Sequence, residues 1–254
     1  MKPLTEIVKF KCTLIASHRG DNRLGPENTI IAFKEAIENG VDMIEMDIQF
    51  TKDKKIIVFH NDEIELGDKI YKIIDLNYED IKKYKIYYNL EDGTKTYTNI
   101  PLLYEVFDNF KDKVYFITEI KNNFDDDNIE SINNLCNFII KNNLQKELVI
   151  TSFDIKNLLF IKNKYPLLLT AVIYEPNSNI LPSKYKKQLN CNAFICDINE
   201  LTEKFVLDAN KNNIFIGVYG ANTKELIKKA INYNVRFIGT DCIDLLKNIL
   251  NEIK

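Results

Sequence analysis

What this chain is short of narrows its function before any motif is read. Its five cysteines, Cys12, Cys136, Cys191, Cys196 and Cys242, are odd in number and form no CxxC pair. That spacing argues against a disulfide framework and for reduced, mostly buried small residues. Cys191 and Cys196 flank an apolar stretch with no histidine near them, so a zinc site is not expected there. No apolar run is long enough to cross a bilayer, and Met1 to Lys11 alternates charge without the apolar core of a secretory leader. The expectation is a soluble, cytoplasmic protein with no integral membrane segment. The net charge of −3, from 37 acidic and 34 basic residues, comes with no basic stripe or tail, which disfavours nucleic acid as a partner. No glycine-rich dinucleotide fingerprint follows the first apolar run, which weighs against an open nucleotide-binding sheet. Histidine is scarcest of the chemical groups, with only His18 and His60.

A chain of 254 residues, 45% hydrophobic and 28% charged, suffices for one large domain over 1–254 with a sizeable core. Short apolar runs recur at Cys12 to Ser17, Met43 to Phe50, Val114 to Ile120, Leu148 to Thr151, Leu167 to Ile173, Ala193 to Cys196, Ile214 to Tyr219 and Arg236 to Thr240. Between most of them lie segments of helical spacing, such as Ile30, Phe33, Ala36 and Ile37, or Leu226, Ile227, Ala230 and Ile231. Polar clusters at Pro26-Glu27-Asn28, Ser152-Phe153-Asp154 and Asn222-Thr223 offer helix N-caps, and Gly40 stands where a helix C-terminus needs glycine. Eight strands alternating with helices at this length predict an α/β fold, a closed (β/α)8 TIM barrel. The rhythm breaks once, between the second and third barrel strands. An insertion at about 61–112, rich in tyrosine, is expected there, either a lid-like cover over the barrel mouth or a decorated loop.

In such a barrel the catalytic groups gather at the carboxyl ends of the strands. Both histidines end an apolar run and precede a polar pair, Arg19-Gly20 and Asn61-Asp62, so they are candidates for an acid and base acting on one substrate, or each simply caps its strand. Glu45 and Asp47 lie two apart within Ile44, Met46 and Ile48, which puts both on one face, the interior; Glu119 and Lys121 share a face on the next strand. Three converging carboxylates are costly to bury unpaired and suit a hard divalent cation, Mg²⁺ or Ca²⁺. Arg19 and Lys121 supply positive charge beside it, as a phosphate requires. The alternative is a metal-free salt-bridge network among the same residues.

The run SHRGDNRLGPENTIIAFKEAIENGVDMIEMDIQFTKDKKIIVFHND, with its HRG, PENT, ExD strand and second histidine, resembles the opening of the glycerophosphodiester phosphodiesterase family. Later landmarks follow in order: IPLLYEVF from Ile100, TEIK at Thr118 to Lys121, TSFD at Thr151 to Asp154 and GTD at Gly239 to Asp241. The resemblance implies a metal-dependent (β/α)8 barrel that uses water to cleave glycerophosphodiesters into glycerol 3-phosphate and an alcohol. Matched by position, Glu45, Asp47 and Glu119 correspond to metal ligands, His18 and His60 to the acid/base pair, and Arg19 and Lys121 to phosphate-holding residues. Glu27, within PENT, is expected to orient neighbouring groups and approach the metal site, or to be a helix-start acid. The chain departs from the family at Val218-Tyr219-Gly220-Ala221-Asn222, where many relatives carry VWT and a polar residue; Tyr219 is expected to supply the aromatic wall of the substrate site.

With the two histidines on opposite sides of a metal-bound phosphate, His18 is expected to take the proton of the glycerol 2-hydroxyl as it attacks phosphorus and His60 to protonate the departing alcohol, through a cyclic phosphate. Alternatives on the same residues are a lysophospholipase D or a lyase that stops at the cyclic phosphate. From other classes come a non-catalytic phosphoester-binding barrel and a metal-dependent aldolase or isomerase, since fold alone does not set chemistry. The insertion holds Tyr, Lys and Asp in place of Leu and Phe, which favours water-soluble diesters over long acyl chains.

Overall fold

The computed structural model describes residues 1–10, 13–23, 25–90 and 92–253. Cys12, expected to open the first strand and to be a reduced thiol, lies outside the described residues. The chain enters through α1 (Leu4–Phe10), β1 (Leu14–Ser17), α2 (Ile30–Glu38), β2 (Met43–Phe50) and β3 (Ile56–Val58). Two hairpins follow, β4 (Glu63–Leu66) with β5 (Lys69–Lys72) and β6 (Ile86–Asn89) with β7 (Lys95–Thr98), with the short α3 (Tyr78–Ile81) between them. The rest alternates as α4 (Leu103–Phe110), β8 (Tyr115–Ile120), α5 (Ile129–Lys141), β9 (Leu148–Ser152), α6 (Ile155–Lys164), β10 (Leu169–Ile173) and α7 (Pro182–Leu189). It closes with β11 (Ala193–Asp197), α8 (Glu203–Lys211), β12 (Phe215–Tyr219), α9 (Lys224–Asn232), β13 (Phe237–Thr240) and α10 (Ile243–Ile253). Parallel pairing runs β1, β13, β12, β11, β10, β9, β8, β2 and returns from β2 to β1, closing an eight-stranded barrel. The eight apolar runs of the sequence are these eight strands. No described helix is long and apolar enough to cross a membrane.

The period of two decides what the barrel holds. On β2 the outward residues Ile44, Met46, Ile48 and Phe50 are completely buried beneath the helices, each worth roughly 1.5–3 kcal/mol by transfer from water. The inward series begins with apolar Met43 and turns acidic at Glu45 and Asp47. Around the lower barrel Leu14, Ala16, Ile117, Val149, Ala171 and Ile195 fill the interior, and α1 lays Leu4 and Val8 beneath them as a plug. Polar inward residues are thereby confined to the upper, carboxyl end. The helices start where polar side chains accept orphan N–H groups: Thr29 from Ala32, Asp154 from Lys156 and Thr223 from Leu226. Asn28 is thus not the cap of α2; it turns inward to another task.

Residues Ile56–Val58 are not a barrel strand but run back antiparallel along the end of β2, pairing Ile48 with Val58 and Phe50 with Ile56. The hairpins beyond build a small core of their own, Ile57, Ile64, Ile73, Tyr78, Ile81, Ile100 and Leu102. In α4, Leu103, Val106, Phe107 and Phe110 pack into the main core, so the carboxyl part of the 61–112 stretch is the crossover helix that the barrel itself needs. Among the described residues, none that lines the central cavity belongs to the insertion, which lies beside the mouth. It is tethered to one side, where Leu76 O accepts from Lys52 N at 2.9 Å and Asp53 Oδ1 from Tyr78 N at 3.0 Å, at the turn between β2 and β3.

Gly217 on β12 faces inward against the Phe237 ring, and a Cβ there would stand 1.9 Å from the ring's Cζ. The ring forms the floor of the upper cavity, so it has little room to retreat. Gly217→Ala is expected to destabilise the protein by about 1–3 kcal/mol through overpacking, read as a lowered melting temperature; a melting temperature equal to wild type would refute the tight fit.

Candidate active site at the carboxyl mouth of the barrel

Asp47 and Glu119 are register partners on β2 and β8, and Glu45 lies one inward position below Asp47. One oxygen from each of the three carboxylates falls within 4.8 Å of the others. Burial pushes the Glu45 carboxyl well above the usual range, reinforced by Asp47 and Glu119; burial and Asp47 raise Glu119 as well. Lys121 Nζ is 2.9 Å from Glu119 Oε1 and 3.7 Å from Asp47 Oδ1. Burial works against the Lys121 ammonium, but Glu119 and Asp47 outweigh it and its affinity for the proton rises. Arg19 Nε lies 3.0 Å from Asp47 Oδ2 yet off the line of its N–H, so that contact is Coulombic and not a hydrogen bond.

Among the described residues Glu45 receives only one hydrogen bond, from the Arg19 backbone N–H at 3.1 Å. The metal-free network therefore pairs Lys121 with Glu119 and Arg19 with Asp47 but, among the described residues, gives Glu45, which lines the cavity, no ion pair of its own. An all-oxygen donor set with unbalanced negative charge fits a hard divalent cation. Arg19 is delivered by a left-handed turn, with φ of +58° at Arg19 and +91° at Gly20. A Cβ on Gly20 would lie 2.7 Å from the Ala32 carbonyl carbon, so glycine lets the turn press against α2.

The two histidines reach the mouth from opposite directions. His18 follows β1, where Ser17 pairs with Thr240, so the next residues, His18 and Asp241, are neighbours. His18 Nδ1 is 2.9 Å from Asp241 Oδ1, and this hydrogen bond holds the Asp241 carboxyl below the usual range. Asn222 clamps Asp241, donating from Nδ2 to Oδ2 at 2.7 Å and accepting the Asp241 N–H at 2.9 Å. His60 descends: β2 overshoots the barrel, β3 returns, and Phe59 N–H donates to Asp47 O at 3.0 Å. Gln49 Nε2, buried, gathers the carbonyls of Phe59, His60 and Asn61. His60 Nδ1 meets Asn61 Oδ1 at 3.0 Å.

His18, Arg19, Glu45, His60, Glu119 and Lys121 line one cavity of about 240 Å³, faced by Phe153, Ile173, Ile195 and Tyr219. Asp47 sits just behind, buried, and exchanges two hydrogen bonds with Asn28: Nδ2 to Asp47 Oδ2 at 2.8 Å and Asp47 N to Asn28 Oδ1 at 3.1 Å. Glu27 neither lines the cavity nor joins the carboxylate cluster; it accepts from Arg19 Nη1 at 3.1 and 3.2 Å and so aims the guanidinium. It also precedes Thr29, outside the first turn of α2, so it is not a helix-start acid. The Tyr219 phenol is pushed up to about 12, by burial and then by Asp197, and stays neutral. Residue spacing did not single out Asn28, Gln49, Asn222 and Asp241. Asp241 could have been found as the polar residue just past the last strand; Asn28 required knowing its φ of +58°, a region asparagine tolerates.

The raised carboxyls have a measurable consequence. Groups whose affinity for the proton rises on folding contribute stability below the ordinary glutamate value and lose it as pH climbs through their raised values. Metal-free protein should therefore lose a contribution to its melting temperature as pH rises above the ordinary glutamate value of about 4.3. Added Mg²⁺ or Ca²⁺ should restore it, by roughly 2.7 kcal/mol at a hundred times Kd. Melting curves with and without chelator test this, and identical curves at every pH would show that the three acids hold no cation.

The Glycerophosphoryl diester phosphodiesterase family model matches residues 18–245. A glycerophosphodiester phosphodiesterase of Caldanaerobacter subterraneus is 31% identical over 248 residues, which cover 94% of this chain and 98% of that protein. Among solved structures, a glycerophosphodiester phosphodiesterase from Parabacteroides distasonis superposes with a TM-score of 0.80 at 21% identity, covering 95% of this chain and 98% of that one. An Oleispira antarctica phosphodiesterase, solved in complex with the product sn-glycerol-3-phosphate, gives a TM-score of 0.77 at 17% identity, covering 94% and 96%. With the family model spanning the site from His18 past Asp241, the chain belongs to the glycerophosphoryl diester phosphodiesterase family.

Proposed function

We propose that the protein hydrolyses glycerophosphodiesters to glycerol 3-phosphate and an alcohol, with His18 as first base, His60 as first acid, and Glu45, Asp47 and Glu119 as ligands of a divalent cation. The observation that carries the division of labour is the unequal pairing of the imidazoles. His18 leans on a carboxylate, Asp241, whereas His60 leans on an amide, Asn61. A carboxylate orients the ring and compensates the charge it gains when its other nitrogen acts as a base, which suits His18 to the first proton transfer, whereas the Asn61 amide orients His60 without adding charge.

In this reading the phosphate lies between Arg19 and Lys121. His18 Nε2 takes the proton of the glycerol 2-hydroxyl, whose oxygen attacks phosphorus, and His60 gives a proton to the ester oxygen as its bond to phosphorus breaks. The five-membered cyclic phosphate is then opened by water, which loses its proton to His60 while His18 returns a proton to the glycerol oxygen. A bound Mg²⁺ or Ca²⁺ supplies polarisation of a phosphoryl oxygen. Arg19 and Lys121 offset charge that builds on the phosphoryl oxygens, from positions already set by Glu27, Asp47 and Glu119.

Purified protein is expected to release glycerol 3-phosphate from glycerophosphocholine, glycerophosphoethanolamine or glycerophosphoglycerol, and chelator should abolish the release. Absence of metal-dependent release from all three would overturn the reaction. His18→Ala and His60→Ala should each lower kcat by about 10² to 10⁴ with melting preserved, and wild-type turnover in either variant would overturn its role. Phosphorus NMR during turnover should show a transient cyclic phosphate.

A further inference from the structure

Beside the central cavity lies a second, larger groove of about 1000 Å³, and His60 and Lys121 line both. One wall is the start of the insertion: Asp62, Glu63 on β4, Lys72 on β5 and Ile74. The other is the loop after β8, with Asn122, Asn123, Asp125 and Asn128. The contrast in chemistry is sharp, because Ile74 is the one aliphatic side chain lining the groove, whereas the far wall of the central cavity is largely apolar.

Both walls are held in place. Asn122 Oδ1 accepts from Phe50 N at 2.9 Å, and its carbonyl accepts from Asn157 Nδ2 at 2.8 Å. Asp125 Oδ1 accepts from Asn128 N at 2.8 Å, and Asn128 Nδ2 donates to Asn123 O at 2.9 Å. Lys54 Nζ, from the β2–β3 turn, ties to Asp127 O at 2.7 Å. Ile73 N–H holds Asp62 O at 2.9 Å. Asn128 is 3% exposed, and its side-chain oxygen has no protein partner among the described residues, a cost that a buried hydrogen-bonding site bears.

A phosphodiester has two arms, and one phosphate position between Arg19 and Lys121 must send them apart. The central cavity suits a glycerol-sized arm. The other arm departs on the side of the histidine that protonates it, and His60 opens onto the groove. We propose that this groove is the subsite of the leaving alcohol and that Glu63 and Asn123, one from each wall, select a hydrophilic head, an ammonium in preference to an anion and a polar head in preference to an alkyl chain. Three carboxylates, Asp62, Glu63 and Asp125, face two lysines, and one of these, Lys121, is already engaged by Glu119 at 2.9 Å. This rests on the reading of the mouth as a glycerophosphodiesterase site.

The test measures kcat/KM for the ethanolamine, inositol, glycolate, octyl and methyl esters of glycerol 3-phosphate, each divided by the methyl ester value, which scores the head alone. Wild type should favour ethanolamine over glycolate and should not favour the octyl over the methyl ester. Glu63→Lys should shift the ethanolamine-to-glycolate ratio toward glycolate by about tenfold, and Asn123→Trp should lower the inositol-to-methyl ratio by about tenfold or more. Unchanged ratios in both folded variants, or a wild-type preference for the octyl over the methyl ester, would overturn the subsite while leaving the hydrolase reading intact. No glycerol 3-phosphate from the methyl ester or any other would overturn both.

Discussion

Three carboxylates crowded together at one end of a barrel are the constraint around which the rest of this molecule is arranged. Glu45, Asp47 and Glu119 repel one another where water cannot screen them, and burial alone already lifts Glu45 and Glu119 toward their protonated forms. The fold meets this with two cations, Arg19 and Lys121, and with Asn28, which fixes Asp47 through donor and acceptor at once. The compensation is incomplete at Glu45, which Arg19 reaches through its backbone N–H and, among the described residues, without an ion pair. A site left electrostatically unsatisfied in this way is poised for a divalent cation and an anionic ligand, and the apolar packing below supplies the stability that tolerates it.

The same economy governs the histidines. A barrel strand can present its terminal side chain only upward, and His18 arrives so, braced by Asp241 from the adjoining β13. Placing a second imidazole across the phosphate requires a segment that comes down from above. The overshoot of β2 and the return of β3 provide it, and Gln49 fastens the returning backbone. The insertion then has an architectural purpose besides any recognition: its small core is built on Ile57 of β3 and steadies the strand that carries His60.

Several of these features could be read from residue order. The eight apolar runs and the two-residue spacing in Glu45-Met46-Asp47 and Glu119-Ile120-Lys121 followed from the strand period, and with them the convergence of acids and cations. Others were closed to that kind of reading. Ile56–Val58 looks like any short strand, and its antiparallel direction depends on a turn five residues long between it and β2. The insertion's length suggested a cover for the mouth, but its anchorage at Lys52 and Asp53 holds it to one side. Asn28 resembled a helix cap because asparagine serves at both places.

By itself, then, the sequence determined the barrel, the inward placement of the three acids and the family, since alternation and motif order are local properties that survive without coordinates. Only the tertiary structure decided the partners. That His18 rests on Asp241, 223 positions away, while His60 rests on its own neighbour Asn61, and that Glu45 is, among the described residues, the acid without an ion pair, depend on which strands close the barrel and in what register. Distances across a closed sheet are set by shear and pairing, and no local pattern encodes them.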